Sequence, residues 1–175
     1  MEQVSRQTKI ERTRRFRYAA GYVIEQEGSG VVERLVRDGT FSKFGVRKDQ
    51  VLDSTLESLT RTDAEKILRK KEWEFQNYEK IEALTVPAKI FDMQILFDAE
   101  TAISNAQDVL GVEKTARLDR KTRRAIEDVE ERDFFPAYIE NLRLFVEKNY
   151  NSRQALIRRV KNRPYRNVQA SSTTL

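Results

Sequence analysis

The sequence predicts a mainly helical domain of the α+β type: a helical bundle around one central apolar helix, with a small β-hairpin beside Glu27. Three observations carry this expectation. Between Pro87 and Gly111, the residues Ile90, Phe91, Ile95, Phe97, Ala102, Ile103, Ala106 and Leu110 are nearly apolar all round, the pattern of a buried helix. Phe16, Ala20, Val23 and Glu27 recur at spacings of four, three and four, the repeat of one helical face. Asp38-Gly39 is a hairpin turn signal between two β-prone runs, Val31–Val36 and Thr40–Val46. At 175 residues the chain suits one domain, burying about 70% of its unfolded surface.

The elements follow in order. A basic extension over residues 1–12 leads into a first helix from about 13 to 27, which runs out at Gly28-Ser29-Gly30. After the hairpin, Thr60 or Thr62 is the candidate N-cap of a helix that reaches about Tyr78. Pro87 fits the first turn of the central helix, which ends before Gly111. Asp119 opens another short helix, Pro136 begins one through Tyr138, Leu142, Phe145 and Val146, and Ala155–Val160 forms a last basic one. The domain spans 13–165, and residues 166–175 make a loose, flexible tail rich in Ser and Thr.

Composition removes several kinds of chemistry. The chain has no Cys and no His, which excludes disulfides, thiolate metal sites, Ser-His-Asp and Cys-His catalysis and most zinc sites. Neither a cofactor nor a metal site is expected. Residues 1–20 hold six Lys/Arg against two Asp/Glu, a charge of +4; residues 153–175 hold six Lys/Arg and no acid, +6; the total of +5 leaves −5 for 21–152. Such basic ends suit a nucleic acid, an anionic envelope or an anionic protein, or simply solvation. The start of the chain lacks the apolar stretch of a secretory signal, and no segment approaches about 18 consecutive apolar residues, so a product made in the cytoplasm without a membrane span is expected.

Glu27 is the strongest single candidate for chemistry. It falls on the apolar stripe at a helix end, where burial and the negative end of the helix dipole both disfavour the charged form. A carboxylic acid that keeps its proton is a general acid. Glu25 lies on the other side of the helix and is expected to be solvated. Asp92 and Asp98 are expected to be partly exposed beside a Lys or Arg, and Gln107 to hydrogen-bond in the core. Arg153, Arg158, Arg159, Lys161, Arg163 and Arg166 form the strongest charge cluster; Tyr165 is its only aromatic, so it is no specific nucleic-acid motif.

The order of segments resembles a family. Gln26-Glu27-Gly28-Ser29-Gly30, then Asp38-Gly39-Thr40-Phe41-Ser42-Lys43-Phe44-Gly45-Val46, is similar to the glutamate-glycine-glycine motif and following glycine-rich stretch of the phage and bacterial muramidases of glycoside hydrolase family 108. Leu59-Thr60 with Ala64 through Trp73, Phe91-Asp92 through Gln107-Asp108-Val109-Leu110-Gly111-Val112, and Leu118-Asp119-Arg120-Lys121-Thr122 continue the likeness, which covers about residues 15–162. The glycine that opens the family's sugar cleft is replaced within Leu96-Phe97-Asp98.

The resemblance implies a lysozyme-like fold that hydrolyses the β-1,4 bond between N-acetylmuramic acid and N-acetylglucosamine in peptidoglycan, with Glu27 as general acid. Of the two candidate second carboxylates, Glu33 and Asp38, the turn position favours Asp38; Ser42 stands at the position of the family's threonine and is a candidate to orient the water by hydrogen bonding instead. Trp73 and Tyr78 are candidates for a sugar-stacking wall, although packing is the commoner role of such residues. Implied with these is a phage endolysin or virion-associated lysin, made in a bacterial host's cytoplasm and acting on its wall. Its basic C-terminus would face an anionic envelope or other virion proteins. A lytic transglycosylase, an inactive virion structural protein and a nucleic-acid-binding helical protein are the alternatives.

Overall fold

The computed structural model describes residues 2–28, 30–35, 38–51, 55–151 and 153–164, with side chains from residue 6 onward. The expected tail 166–175 lies outside the described residues. The protein is mainly helical with a small antiparallel sheet, as the composition and periodicities predict.

The first helix, α1 (Glu2–Gln26), starts eleven residues earlier than expected, so the basic residues 2–12 are helical and continuous with it. Its Arg, Lys, Gln and Glu residues are good helix formers, and no Pro interrupts them. Burial begins only at Phe16 and continues through Ala19, Ala20, Val23 and Ile24, while residues 6–10 are exposed. The helix ends where Gly28 takes φ +82, a left-handed conformation that glycine adopts without steric cost.

The hairpin is the first half of a three-stranded antiparallel sheet, β1 (Glu33–Arg34), β2 (Phe41–Lys43) and β3 (Val46–Arg47), in that order. Asp38 closes the first turn by accepting from Thr40 N at 2.9 Å. The expected second run splits because Phe44 and Gly45 both take positive φ, 53 and 80, which makes a second tight turn. A Cβ on Gly45 would stand 2.9 Å from Ile95 Cγ2 and 3.2 Å from Val23 Cγ1, so glycine lets this turn press against the helices.

Helix α2 (Arg61–Leu68) is capped by Thr60, whose hydroxyl accepts from Asp63 N. It widens into a π-type turn over Arg69–Trp73 and stops short of Tyr78, because Asn77 is left-handed at φ 65. The expected central helix is two. Helix α3 (Thr85–Leu96) is buried at every residue from Thr85 to Gln94, and α4 (Ala99–Val109) begins again after Asp98, whose carboxylate accepts from Thr101 N at 2.6 Å. An N-cap in mid-pattern overrides the continuous apolar run.

Helix α5 (Arg120–Asp128) starts at its Asp119 cap, as expected. Helix α6 (Glu131–Tyr150) begins five residues before Pro136, which sits inside it at the cost of one backbone hydrogen bond. Helix α7 (Gln154–Lys161) closes the described chain. Around α3 pack α1, α4 and α6, and one hydrophobic cluster runs from Phe16 to Val160. Gln107 ties the segment after α4 as expected, its Nε2 donating to Thr122 Oγ1 at 2.9 Å and its Oε1 accepting from Ala116 N at 3.0 Å. Among the described residues, no helix is long and apolar enough to cross a membrane.

Burial pushes the phenols of Tyr78 and Tyr138 well above their ordinary value near 10. Above that pH the unfolded chain loses protons that the folded chain keeps, so stability falls as pH rises. Alkaline titration followed by ultraviolet absorbance and circular dichroism should show these two phenols ionising only as the helices melt.

Candidate active site

Glu27 stands at the end of α1, with Gly45 of the β2–β3 turn against its stem; a Cβ on Gly45 would lie 3.6 Å from Glu27 Cγ. Its side chain is 8% exposed, so the burial inferred from the helical stripe holds. Its partner is Arg159 of α7, whose Nη1 donates to Glu27 Oε1. The same guanidinium donates through Nε at 3.1 Å and Nη2 at 2.8 Å to Asp92 Oδ1. Asp92 Oδ2 accepts from Lys89 Nζ at 3.1 Å, and Lys89 also donates to the Arg159 carbonyl at 2.9 Å.

Two acids and two bases therefore share one hydrogen-bonded network. Lys89 and Asp92 have 0% side-chain exposure, so their charges are compensated by each other and by Arg159, not by water. Burial lowers Lys89 from its ordinary value against the pull of Asp92. Burial also works against the charge on Arg159, yet the Asp92 and Glu27 carboxylates hold it above its ordinary range. The expectation of a partly exposed Asp92 is corrected: it is wholly buried, because its neighbours on α3 and α7 supply the cations. Arg159 likewise leaves the solvated basic cluster, since it lies three positions after Leu156 on the inward face of α7.

Glu27 and Arg159 face a cavity of about 100 Å³ between the sheet and the C-terminal helices. Glu33, Ser42, Phe97 and Tyr150 also line it. Ser42 is 1% exposed, and its Oγ has no hydrogen-bond partner among the described residues. A buried hydroxyl in that state costs about 1–3 kcal/mol unless water or a ligand meets it. Phe97 stacks on Tyr150 at 5.9 Å and packs edge-on to Phe145 at 5.4 Å, so an aromatic group occupies the region where the resembled family has a glycine.

The remaining candidates are placed by their contacts. Asp38 is held in the first hairpin turn, where Arg47 Nη1 donates to one carboxylate oxygen at 3.1 Å and Thr40 N donates to the other. The second carboxylate at the cavity is Glu33. Trp73 and Tyr78 are 2% and 0% exposed, stacked at 4.8 Å beside Phe91 and Phe16, and a ring enclosed by core side chains has no face for a sugar. Glu25 is exposed, as expected, and Asp98 caps α4.

Residue spacing did not single out Lys89, Tyr150 or Arg159 for this site. The available signal was a Lys and an Asp three apart inside an otherwise apolar helix, and an Arg on the apolar face of the last one. No family model and no curated protein matches the chain.

Proposed function

We propose that the protein is a lysozyme-like glycoside hydrolase that cleaves the β-1,4 bond between N-acetylmuramic acid and N-acetylglucosamine in peptidoglycan, acting as an endolysin or a virion-associated lysin. The observation that carries this is the meeting in one cavity of Glu27 with the Ser42 hydroxyl, which has no hydrogen-bond partner among the described residues. An acid and a group that orients water are what the reaction needs, and both were nominated by the motifs of the resembled muramidases.

Arg159 only donates hydrogen bonds, so Glu27 Oε1 accepts and the catalytic proton belongs on Oε2. Loading that proton loosens the Nη1 contact, while Arg159 keeps Asp92 through Nε and Nη2. Glu27 then protonates the glycosidic oxygen as an oxocarbenium-like sugar develops, and water attacks the anomeric carbon. Ser42 orients that water and Glu33 takes its proton, in place of Asp38. An inverting reaction needs the Glu27 and Glu33 carboxyl groups about 6.5–9.5 Å apart.

The test is incubation of purified peptidoglycan with the folded protein, read by loss of turbidity and by product mass. Saccharides that have gained water support the hydrolase; products lighter by one water assign a transglycosylase. An untouched wall removes the enzymatic proposal. Ser42→Ala is expected to keep or slightly raise thermal stability, because it removes an unsatisfied hydroxyl, and to lower turnover by on the order of tenfold.

A second proposal, a virion structural protein that keeps this fold without catalysis, is favoured by the size of the cavity. Its roughly 100 Å³ lies below the ~300 Å³ at which ligand pockets begin, and Arg159 occupies the Glu27 carboxylate. It predicts a folded, wall-inert protein.

A further inference from the structure

At the other end of α1 lies a larger cavity, about 600 Å³, lined by Thr8, Lys9, Arg12, Arg69, Glu74 and Glu79. Its volume is within the range of small-molecule sites. It is also remote from Glu27: fifteen residues of helix separate Arg12 from Glu27, a span of about 22 Å at 1.5 Å per residue.

Apart from Arg69, its basic residues come from α1 and its acids from the segment after α2. Lys9 and Arg12, three positions apart, share one face of α1. Glu74 and Glu79 come from the segment that follows α2. One pair is already spent, because Arg69 Nε donates to Glu74 at 3.0 Å while its guanidinium lies 5.6 Å from the centre of the Phe16 ring. Among the described residues, no ion pair engages Lys9 or Arg12, and Glu79 Oε2 is buried with no hydrogen-bond partner. A carboxylate whose one oxygen is shut from water and unpaired is costly to hold. A cation at its other oxygen would compensate that charge.

We infer that this cavity binds a small zwitterion, an amino acid or short peptide with free ends, its carboxylate on Lys9 and Arg12 and its ammonium on Glu79. One molecule carrying both charges pairs both walls at once, which neither an anion nor a cation alone can do. Arg12 supplies the planar fork that takes a carboxylate in two parallel hydrogen bonds. The inference does not depend on any reaction at Glu27.

Calorimetric titration with trialanine, N-acetyl-trialanine and trialanine amide tests it on the full chain. Trialanine should bind saturably, and blocking either end should weaken binding at least about tenfold. Glu79→Gln should weaken trialanine to a similar degree, and so should Arg12→Gln, with circular dichroism and peptidoglycan assays unchanged from the parent protein. Arg12 is exposed on its helix, so that variant keeps the test valid if Glu79→Gln does not fold. Absence of saturable binding, or binding indifferent to both blocked ends or to both substitutions, overturns the inference. Because the readout contains no sugar, its failure says nothing about hydrolysis, and an inert wall says nothing about this site.

Discussion

Glu27→Gln is expected to lower the release of soluble saccharide from peptidoglycan by at least about 100-fold, because a positioned general acid contributes roughly 10²–10⁴ to such a rate. The substitution keeps the shape of the side chain and an oxygen for Arg159 Nη1 to donate to, but leaves no proton that the group can give up. The fold should survive. Arg159 remains held by Asp92 through two hydrogen bonds and by Lys89 through its carbonyl, so the stability loss is at most about 3 kcal/mol, the worth of one charge-assisted hydrogen bond. The paired measurement is product release and thermal unfolding on the same preparations. Full activity in a folded Gln variant would move the acid elsewhere, and inactivity of the parent protein would favour the structural alternative.

A larger stability effect is expected from Asp92→Asn. Asp92 is the only carboxylate touching Lys89 Nζ among the described residues, and it holds two of the three Arg159 donors that the network uses. Neutralising it leaves Lys89 with 0% exposure and no counter-charge, and breaking a buried pair from one side costs about 3–5 kcal/mol. In a chain of 175 residues each kcal/mol lowers the melting midpoint by about 2–4 °C, so a fall of roughly 6–20 °C is expected by scanning calorimetry. The double variant Lys89→Met with Asp92→Leu removes one cation and one anion and leaves Arg159 facing Glu27. It should lose less than the sum of the two single losses, by a coupling of about 0.5–3 kcal/mol. Strict additivity would show that the two charges do not stabilise each other.

Much of the architecture was legible because it is encoded over a few residues. The Thr60 and Asp119 caps, the Asp38-Gly39 turn and the burial of Glu27 at the end of α1 each depend on neighbours two to four positions away. The splitting of the central helix was locally encoded too, but two local signals conflict there. The apolar repeat runs on through Phe97, and the side chain of Asp98 stops it by capping α4.

The candidate site divides along the same line. Glu27 is legible from its helical stripe and from motif order, and Ser42, in the middle of β2, from motif order alone. The packing role favoured for Trp73 holds, while the contacts of Asp38 lie beyond sequence reasoning, because an acid in a turn looks alike whether it faces a cleft or a neighbouring arginine.

By itself, then, the sequence determined a mainly helical chain with a small antiparallel sheet and a buried glutamate where α1 gives way to glycine. Only the tertiary structure decided what that glutamate meets. Arg159 lies 132 positions from Glu27 and 67 from Asp92, and no periodicity reaches across such separations. The physical reason is that a buried charge must find its counter-charge in space: α7 packs on α6 and sends the Arg159 guanidinium between the carboxylates of Glu27 and Asp92, and that contact sets the electrostatics of the cavity.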